Sequence, residues 1–377
     1  METVLVEIGS RYVRIGLSGE FAPRSKFISI PQTKAIGHSY INKKACIDAF
    51  PLDYEIHDKA LTIEQRESLT SSLLNIPLHK KVSKIFSMDE DSLASSRDFQ
   101  IQNSVSELLE SLLLISSQCK AILIEPVYTS NREKNQIAEI LLSKLRFKSI
   151  CWIPEPIMEV VGAGVSDSLV VHLGWSSAIV TSVMDLRLIS SRDFPSSHMS
   201  GLVLHYKIVE RLLDLENAAL DQLLCSPSGF ELVENFIQTS LFVRKDRSQT
   251  SSFEEHRFTD SIVIPKSICY EVVESLVTSL IPGIISFIAK TSIDVRSRIL
   301  ENIIIAGGLA NIPGLKSYVL TQIRKEWKAA NLVVSLGSWP GLSIYYSSLE
   351  RQELKELSKQ AELTREQYKS IASAAKR

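Results

Sequence analysis

Two short segments, about half a chain apart, share one pattern. Near the start, VLVEIGSRYVRIGLSG sets an alternating apolar strand, a Gly-Ser turn and a second apolar strand in a row. From Leu169, LVVHLGWSSAIVTSVMD repeats strand, glycine and strand. Alternation with a period of two on both sides of a glycine turn predicts a β-hairpin in each place. Glu7 and His172 hold equivalent positions, each two residues ahead of its turn glycine, Gly9 or Gly174. A unit that recurs at this separation points to an internal duplication, and hence to two similar lobes. The length agrees, since 377 residues correspond to roughly two or three domains.

The intervening chain alternates between helical and extended patterns. Residues 104–117 (SVSELLESLLLISS) carry apolar side chains at helical spacing. Residues 121–124 then read as a buried strand, 131–145 as a helix capped by Asn131, and 149–153 as another strand. Later, a helix over 273–290 leads to a strand over 302–305 that ends in Ala306-Gly307-Gly308. Strands alternating with helices predict an α/β architecture. Residues 32–103 are polar and mixed, and read as a small irregular subdomain. Residues 244–257 (RKDRSQTSSFEEHR) read as an exposed loop. The tail from Ser348 reads as a charged helix whose apolar face is Leu349, Leu354, Leu357 and Leu363.

Composition removes several function classes. Charged residues make up 23% and the formal net charge is −1. A general electrostatic grip on nucleic acid needs a basic excess, so no nucleic-acid partner is expected. No membrane partner is expected either, because no apolar run approaches the length of a membrane span. The N-terminus METVLVEIGS lacks the basic start of a secretory signal. The five cysteines, Cys46, Cys119, Cys151, Cys225 and Cys269, are far apart, with no C-x-x-C pair. That argues against a zinc motif and a disulfide framework, and for a reducing compartment. No metal site is expected.

The glycine turns carry the chemistry that remains. A tight turn presents backbone N–H groups that suit a phosphate. Gly9-Ser10 would form one jaw of a phosphate clamp and Gly174 the other. Gly307 and Gly308 would let a nucleotide approach the backbone, because no Cβ intrudes. Hydrolysis asks for more: carboxylates to organise magnesium and a side chain to orient water. Glu7 supplies a carboxylate on the first hairpin, but His172 stands where the second hairpin needs one. Imidazole is a poor partner for magnesium, which prefers oxygen.

The order and spacing of these blocks resemble the actin family. EIGSRYVRIGLSGEFAPR (7–24) is similar to the family's first phosphate loop, and LVVHLGWSSA to the second. NREK after ILIEP is similar to a strand and helix start. SIDVRSRILENIIIAGGLANIPGL (292–315) resembles the adenosine segment, and SWPGLSIYYSSL with ELTREQY the C-terminal region. The resemblance implies an actin-like, ribonuclease-H-like duplicated fold. Residues 1–162 with 338–377 would form one domain and 163–337 the other, with nucleotide in the cleft. It carries nucleotide contacts onto Glu7, Gly9, Ser10, Arg14, Gly174, Gly307 and Gly308, with ATP or ADP as a structural ligand. It also marks lost catalytic positions. Glu155 replaces the water-orienting Gln, Ile179 a catalytic His, and His172 and Trp175 replace aspartates. Near the adenine, Gln238 and Thr239 replace a Lys–Glu pair and Ile312 a Tyr. Negligible ATPase activity follows.

Within the family the chain is most similar to the ten/eleven class of actin-related proteins, found at the pointed end of dynactin. Shared features are the aromatic after Gly174, a chain without large insertions, and TKAIGHSYINKKACIDAF in place of the DNase-binding loop. The resemblance implies a cytoplasmic, cytoskeletal subunit partnered by dynactin's filament subunits and other pointed-end subunits. Glu159–Ser166 and Ser343–Leu349 would build its filament face, with Val161, Gly164, Ser166 and Tyr346 at the interface. Gly162 and Gly164 would keep that groove open. Alternatives are a nuclear actin-related subunit of a chromatin-remodelling complex and an active ATPase or sugar kinase of the same superfold.

Overall fold

A computed structural model describes residues 2–28, 90–194, 199–224, 229–245, 254–349 and 362–374. The rewritten segment TKAIGHSYINKKACIDAF and most of the expected subdomain at 32–103 lie outside those residues, as do Cys46 and Cys225.

The first lobe is built on β1 (Thr3–Ile8), β2 (Tyr12–Leu17), β3 (Ser25–Ile28), β4 (Lys120–Glu125) and β5 (Ser149–Pro154). A short β12 (Leu363–Thr364) completes a six-stranded sheet in the order β12-β5-β4-β1-β2-β3. The central strands β1 and β4 are near-continuous apolar runs because both of their faces are covered. The strand period sorts their side chains. Val4, Val6, Ala121 and Leu123 enter a core with α1 (Glu90–Ser111) and α2 (Asn131–Ala138). Leu5, Ile122 and Ile124 enter another with Met158, Trp339, Leu342 and Tyr346.

The second lobe repeats the plan. Its strands β6 (Ser168–Leu173), β7 (Ala178–Met184), β8 (Arg187–Phe194) and β11 (Ile303–Ala306) form a sheet in the order β11-β6-β7-β8. β6 pairs antiparallel with β7 and parallel with β11. In the first lobe β1 pairs antiparallel with β2 and parallel with β4. The correspondence extends to an isolated parallel bridge from Ile303 to Leu332, at the place that β5 takes beside β4. The duplication read from two hairpins therefore covers four strands of each sheet. Around this sheet pack α4 (Gly201–Leu213), α5 (Ala218–Leu224), α6 (Gly229–Ser240), α7 (Glu271–Lys290), α8 (Ile293–Glu301) and α9 (Leu315–Glu326).

Helix α3 (Glu155–Gly162) joins the lobes. Its Met158 belongs to the first lobe's core and its Val160 to a cluster with Val170, Val183 and Ile304 of the second. The other helix on this axis, α10 (Ser338–Leu349), packs along α3.

Several local expectations change. The helix expected over 104–117 runs over Glu90–Ser111 instead, so residues 90–103 belong to the first lobe, with Ile101 fully buried. It stops where the chain turns at Leu113, which has a positive φ of 54°. The cap of α2 is Ser130, not Asn131: its side chain accepts from the Glu133 N–H while the Glu133 side chain accepts from Ser130. This reciprocal pair satisfies two free helix-end donors. Residues Glu139–Lys144 continue α2 as a π-helix. At 244–257, Arg244 is anchored to Glu274 and Glu255–Arg257 forms β9, paired with β10 (Val263–Pro265). Leu363 is not on a helix face but in β12, opposite Ile150, and α11 (Arg365–Ala374) follows. The segment Lys266–Lys290 is long and apolar enough to cross a membrane by length and composition, against the expectation that no segment would be. Val273, Val277, Leu280, Ile284 and Ile288 of α7 are core residues of the second lobe.

Candidate functional site

Both hairpin turns open onto one cleft of about 500 Å³ between the lobes. The turns are built alike. The Gly9 N–H donates to Tyr12 O and the Gly174 N–H to Ser177 O, each at 2.9 Å. The sequence-derived residues Glu7, Gly9, Ser10, Arg14, Gly174, Gly307 and Gly308 all line this cleft, as do Glu155, His172, Trp175 and Ile179. Gln238 lines it too, whereas Ile312 is buried in the second lobe's core. Gly307 is required by close approach: with φ at 86°, a Cβ there would stand 2.3 Å from Leu173 O.

The turn tips touch each other. Ser10 Oγ and Ser176 Oγ are 2.8 Å apart. Beside them Arg11, from the first turn, is buried and ion-paired with Glu234 on α6 of the second lobe. Its guanidinium lies 5.2 Å from the Trp175 ring centre and 4.9 Å from that of Phe230, within cation–π range. Trp175 in turn meets His205 and Phe230 edge-on, at 6.2 and 6.1 Å. His205 stacks on Phe230 at 4.2 Å. Burial, then the Arg11 charge, push its pKa down to about 3. Sequence reasoning assigned no part to Arg11, Glu234 or His205. The residue after Ser10 being a charged Arg was the available signal, but its partner is remote in sequence.

The cleft floor is acidic. Arg14 faces Glu7 across the first hairpin and forms an ion pair with it. The Ser338 hydroxyl donates to the same carboxylate at 3.3 Å. Glu155 opens α3, and Glu159, one turn on, is buried at 4% exposure. Spacing of four residues puts both carboxylates on one helix face. His172, at the end of β6, brings its Nδ1 to 3.7 Å from Glu155 Oε1. Burial, then the charge of Glu7, raise Glu155 to about 8. Burial likewise raises Glu159 to about 7, opposed by His172. Burial lowers His172, opposed by the charges of Glu159 and Glu7.

These residues do not fit a nucleoside triphosphate with magnesium. The Ser10 and Ser176 hydroxyls meet where a phosphate would pass between the turns. Arg11 and Arg14 are engaged by Glu234 and Glu7, so neither is a free phosphate partner. Glu155 and Glu159, whose carboxyls burial raises to about 8 and about 7, line the same wall and offer no positive charge to a phosphate.

The expected filament-face residues separate. Gly164 and Ser166 are exposed and Val161 is half-buried. Tyr346 is buried at 5% exposure in the core beside Met158, and Glu159 turns into the cleft. Gly162 does not hold a groove open, since a Cβ on it would meet Gly337 O at 2.6 Å. Gly164, with φ at 72°, ends α3: its N–H donates to Val161 O and that of Val165 to Val160 O. That is the left-handed helix stop that glycine favours.

Two duplicated sheets, with hairpin turns meeting over a shared cleft, define an actin-like α/β clamp. The family model for actin matches residues 1–221, more than half of the chain, and the chain belongs to the actin family. Comparison with curated proteins finds no match.

Proposed function

We propose that this chain is a non-catalytic actin-related subunit of dynactin that caps the pointed end of its actin-like filament, in support of dynein-driven transport along microtubules. One observation carries the non-catalytic part. Where a clamp of this family would close on phosphates, the two turns close on each other through Ser10 and Ser176, with Arg11 and Glu234 beside them. A clamp held by its own side chains has no need of turnover to stay shut. His172, Trp175, Glu155 and Ile179 at the positions of the family's chemistry support the same reading.

The capping part rests on the resemblance of ILIEPVYTSNREKNQIAEILLSKLRFKSICWIPEP and LVVHLGWSSA to the pointed-end class, and on the replaced pointed-face loop. A subunit that keeps one filament face and alters the other adds once and blocks further addition, which stops a head-to-tail interface after one step. The exposed Gly164 and Ser166 belong to the retained face in this reading. The cytoplasm and cytoskeleton follow as its place of action.

Affinity purification of the native protein tests the proposal. Dynein–dynactin subunits among its stoichiometric partners are the expected result. Recovery with a remodelling ATPase would assign it to a nuclear complex instead. Phosphate release from ATP above a buffer blank, abolished by Glu7→Gln, would overturn the non-catalytic reading.

A further inference from the structure

We propose that Glu155, Glu159 and His172 form a protein-only site for a divalent transition-metal ion of the zinc class, bound without a nucleotide. One donor atom from each of the three lies within 4.8 Å of the others. A tetrahedral ion holding its donors at about 2.1 Å keeps them about 3.4 Å apart. His172 Nδ1 and Glu155 Oε1, at 3.7 Å, already stand near that spacing. The remaining closure is about 1.4 Å at most, within the reach of rotating carboxylates.

Independent observations mark the cluster as incomplete. Glu159 is 4% exposed and its Oε2 has no hydrogen-bond partner among the described residues. His172 Nδ1 is buried and likewise without a hydrogen bond. The adjoining Glu7 is 7% exposed, and its Oε2 is also unpaired. Buried polar groups are nearly always satisfied, and an orphan among several carboxylates asks for a cation. The elements that present the donors are rigid. α3 is packed on both lobes, and β6 is an inner strand of its sheet, between β11 and β7.

The ligand set selects the metal. Magnesium and calcium take all-oxygen sets, whereas one imidazole with two carboxylates suits zinc and its neighbours. Three protein donors leave a further position to water, the pattern of an open zinc site. A His at 172 therefore does more than remove a magnesium partner, because it changes which cation the floor prefers. Glu159 is essential to this reading, and the family resemblance assigned it no such part.

The test uses the full chain, stripped with chelator and titrated with Co²⁺, whose visible absorption reports its ligands. One Co²⁺ per chain is expected, displaced by Zn²⁺ but not by a roughly thousandfold excess of Mg²⁺. Added Zn²⁺ should also raise the unfolding midpoint of the wild-type chain. Glu159→Gln should lower Co²⁺ affinity about tenfold or more. His172→Asp should do the same while letting Mg²⁺ compete, because the set becomes all-oxygen. Failure of the wild-type chain to bind Co²⁺, or displacement by Mg²⁺ as readily as by Zn²⁺, overturns the site. So does unchanged Co²⁺ affinity in both variants. The titration needs no partner protein, so its failure is separate from a failure of the capping assignment.

Discussion

Replacing Arg11 by Ala tests how the two lobes are held together. The side chains of Arg11 and Glu234 are 8% and 13% exposed, so the pair is removed from water on both sides. Deleting one member of a buried pair leaves the other charged and unpaired, at a cost of about 3–5 kcal/mol. Arg11→Ala also loses the stacking on Trp175 and Phe230, about 1 kcal/mol more. At roughly 2–4 °C per kcal/mol for a large domain, the midpoint should fall on the order of 10 °C. Replacing both partners together, Arg11→Met with Glu234→Leu, should return most of that loss, since apolar groups tolerate burial. Urea and thermal unfolding of the two singles and the double measure the coupling directly. Addition of ATP with Mg²⁺ supplies the contrasting readout. A ligand that held the lobes would raise the midpoint in proportion to the logarithm of its concentration. The reasoning is refuted if Arg11→Ala costs under about 1 kcal/mol, or if millimolar ATP stabilises the wild-type chain by several degrees.

The next predictions concern pH, a helix stop and the thiols. His205 titrates at 6.5 in its reference state and near 3 when folded, so the unfolded chain binds the extra proton between those values. Its contribution is whole above pH 6.5 and falls by about 1.4 kcal/mol per unit as pH drops toward 3. The raised carboxyls of Glu155 and Glu159 act with the opposite sign, so the effect is read as the stability gap between wild type and His205→Gln. A gap that stays constant from pH 7 to 4, in urea titrations at each pH, would contradict the assignment. Gly164→Val places a branched residue at φ 72° and should cost about 1–2 kcal/mol, whereas Asn tolerates that conformation. Co-sedimentation of Gly164→Asn with the dynactin filament then isolates the surface effect, and unimpaired binding would remove Gly164 from the interface. Cys151 and Cys269 are buried, and burial pushes each thiol up to about 11. Both should resist iodoacetamide at pH 8 in the native chain and react once it is denatured, as mass spectrometry of the peptides will read.

The parts of this fold legible in the sequence are those fixed by short-range pattern. The two hairpins, the buried strand expected over 121–124 and the apolar helix expected over 273–290 are set by local pattern, and the structure has them at Lys120–Glu125 and Glu271–Lys290. Of the cleft, the turn glycines with Glu7 and His172 are legible, because glycine turns after strands fix where backbone and ligand meet, whereas Glu159, expected on the filament face, turns into the cleft. The latch is not legible. Arg11 and Glu234 are separated by most of the chain, and nothing local in either segment marks the other. Leu363 shows the same limit from the opposite side. Its leucine spacing matched a helix face, yet the open edge of β5 offered backbone partners, and pairing with Ile150 won. The family resemblance puts Tyr346 on the filament face, but α10 is pressed onto α3 and buries it.

The substitutions at the second turn make sense together rather than singly. Trp175 alone would be a bulky residue at a phosphate loop, yet it packs on Phe230 and His205 and shelves the Arg11 guanidinium. That guanidinium then reaches Glu234 and ties the first lobe's turn to a helix of the second. An arginine so placed would be an uncompensated buried charge without Glu234, and the aromatic shelf would lose its cation without Arg11. His205 completes the set only as a neutral ring, because a second positive charge beside Arg11 would undo the stack. Arg11, Trp175, His205, Phe230 and Glu234 depend on one another in this way, so the five residues constitute one inter-lobe device. Reverting Trp175 to an aspartate on its own should therefore destabilise the chain rather than restore a phosphate site.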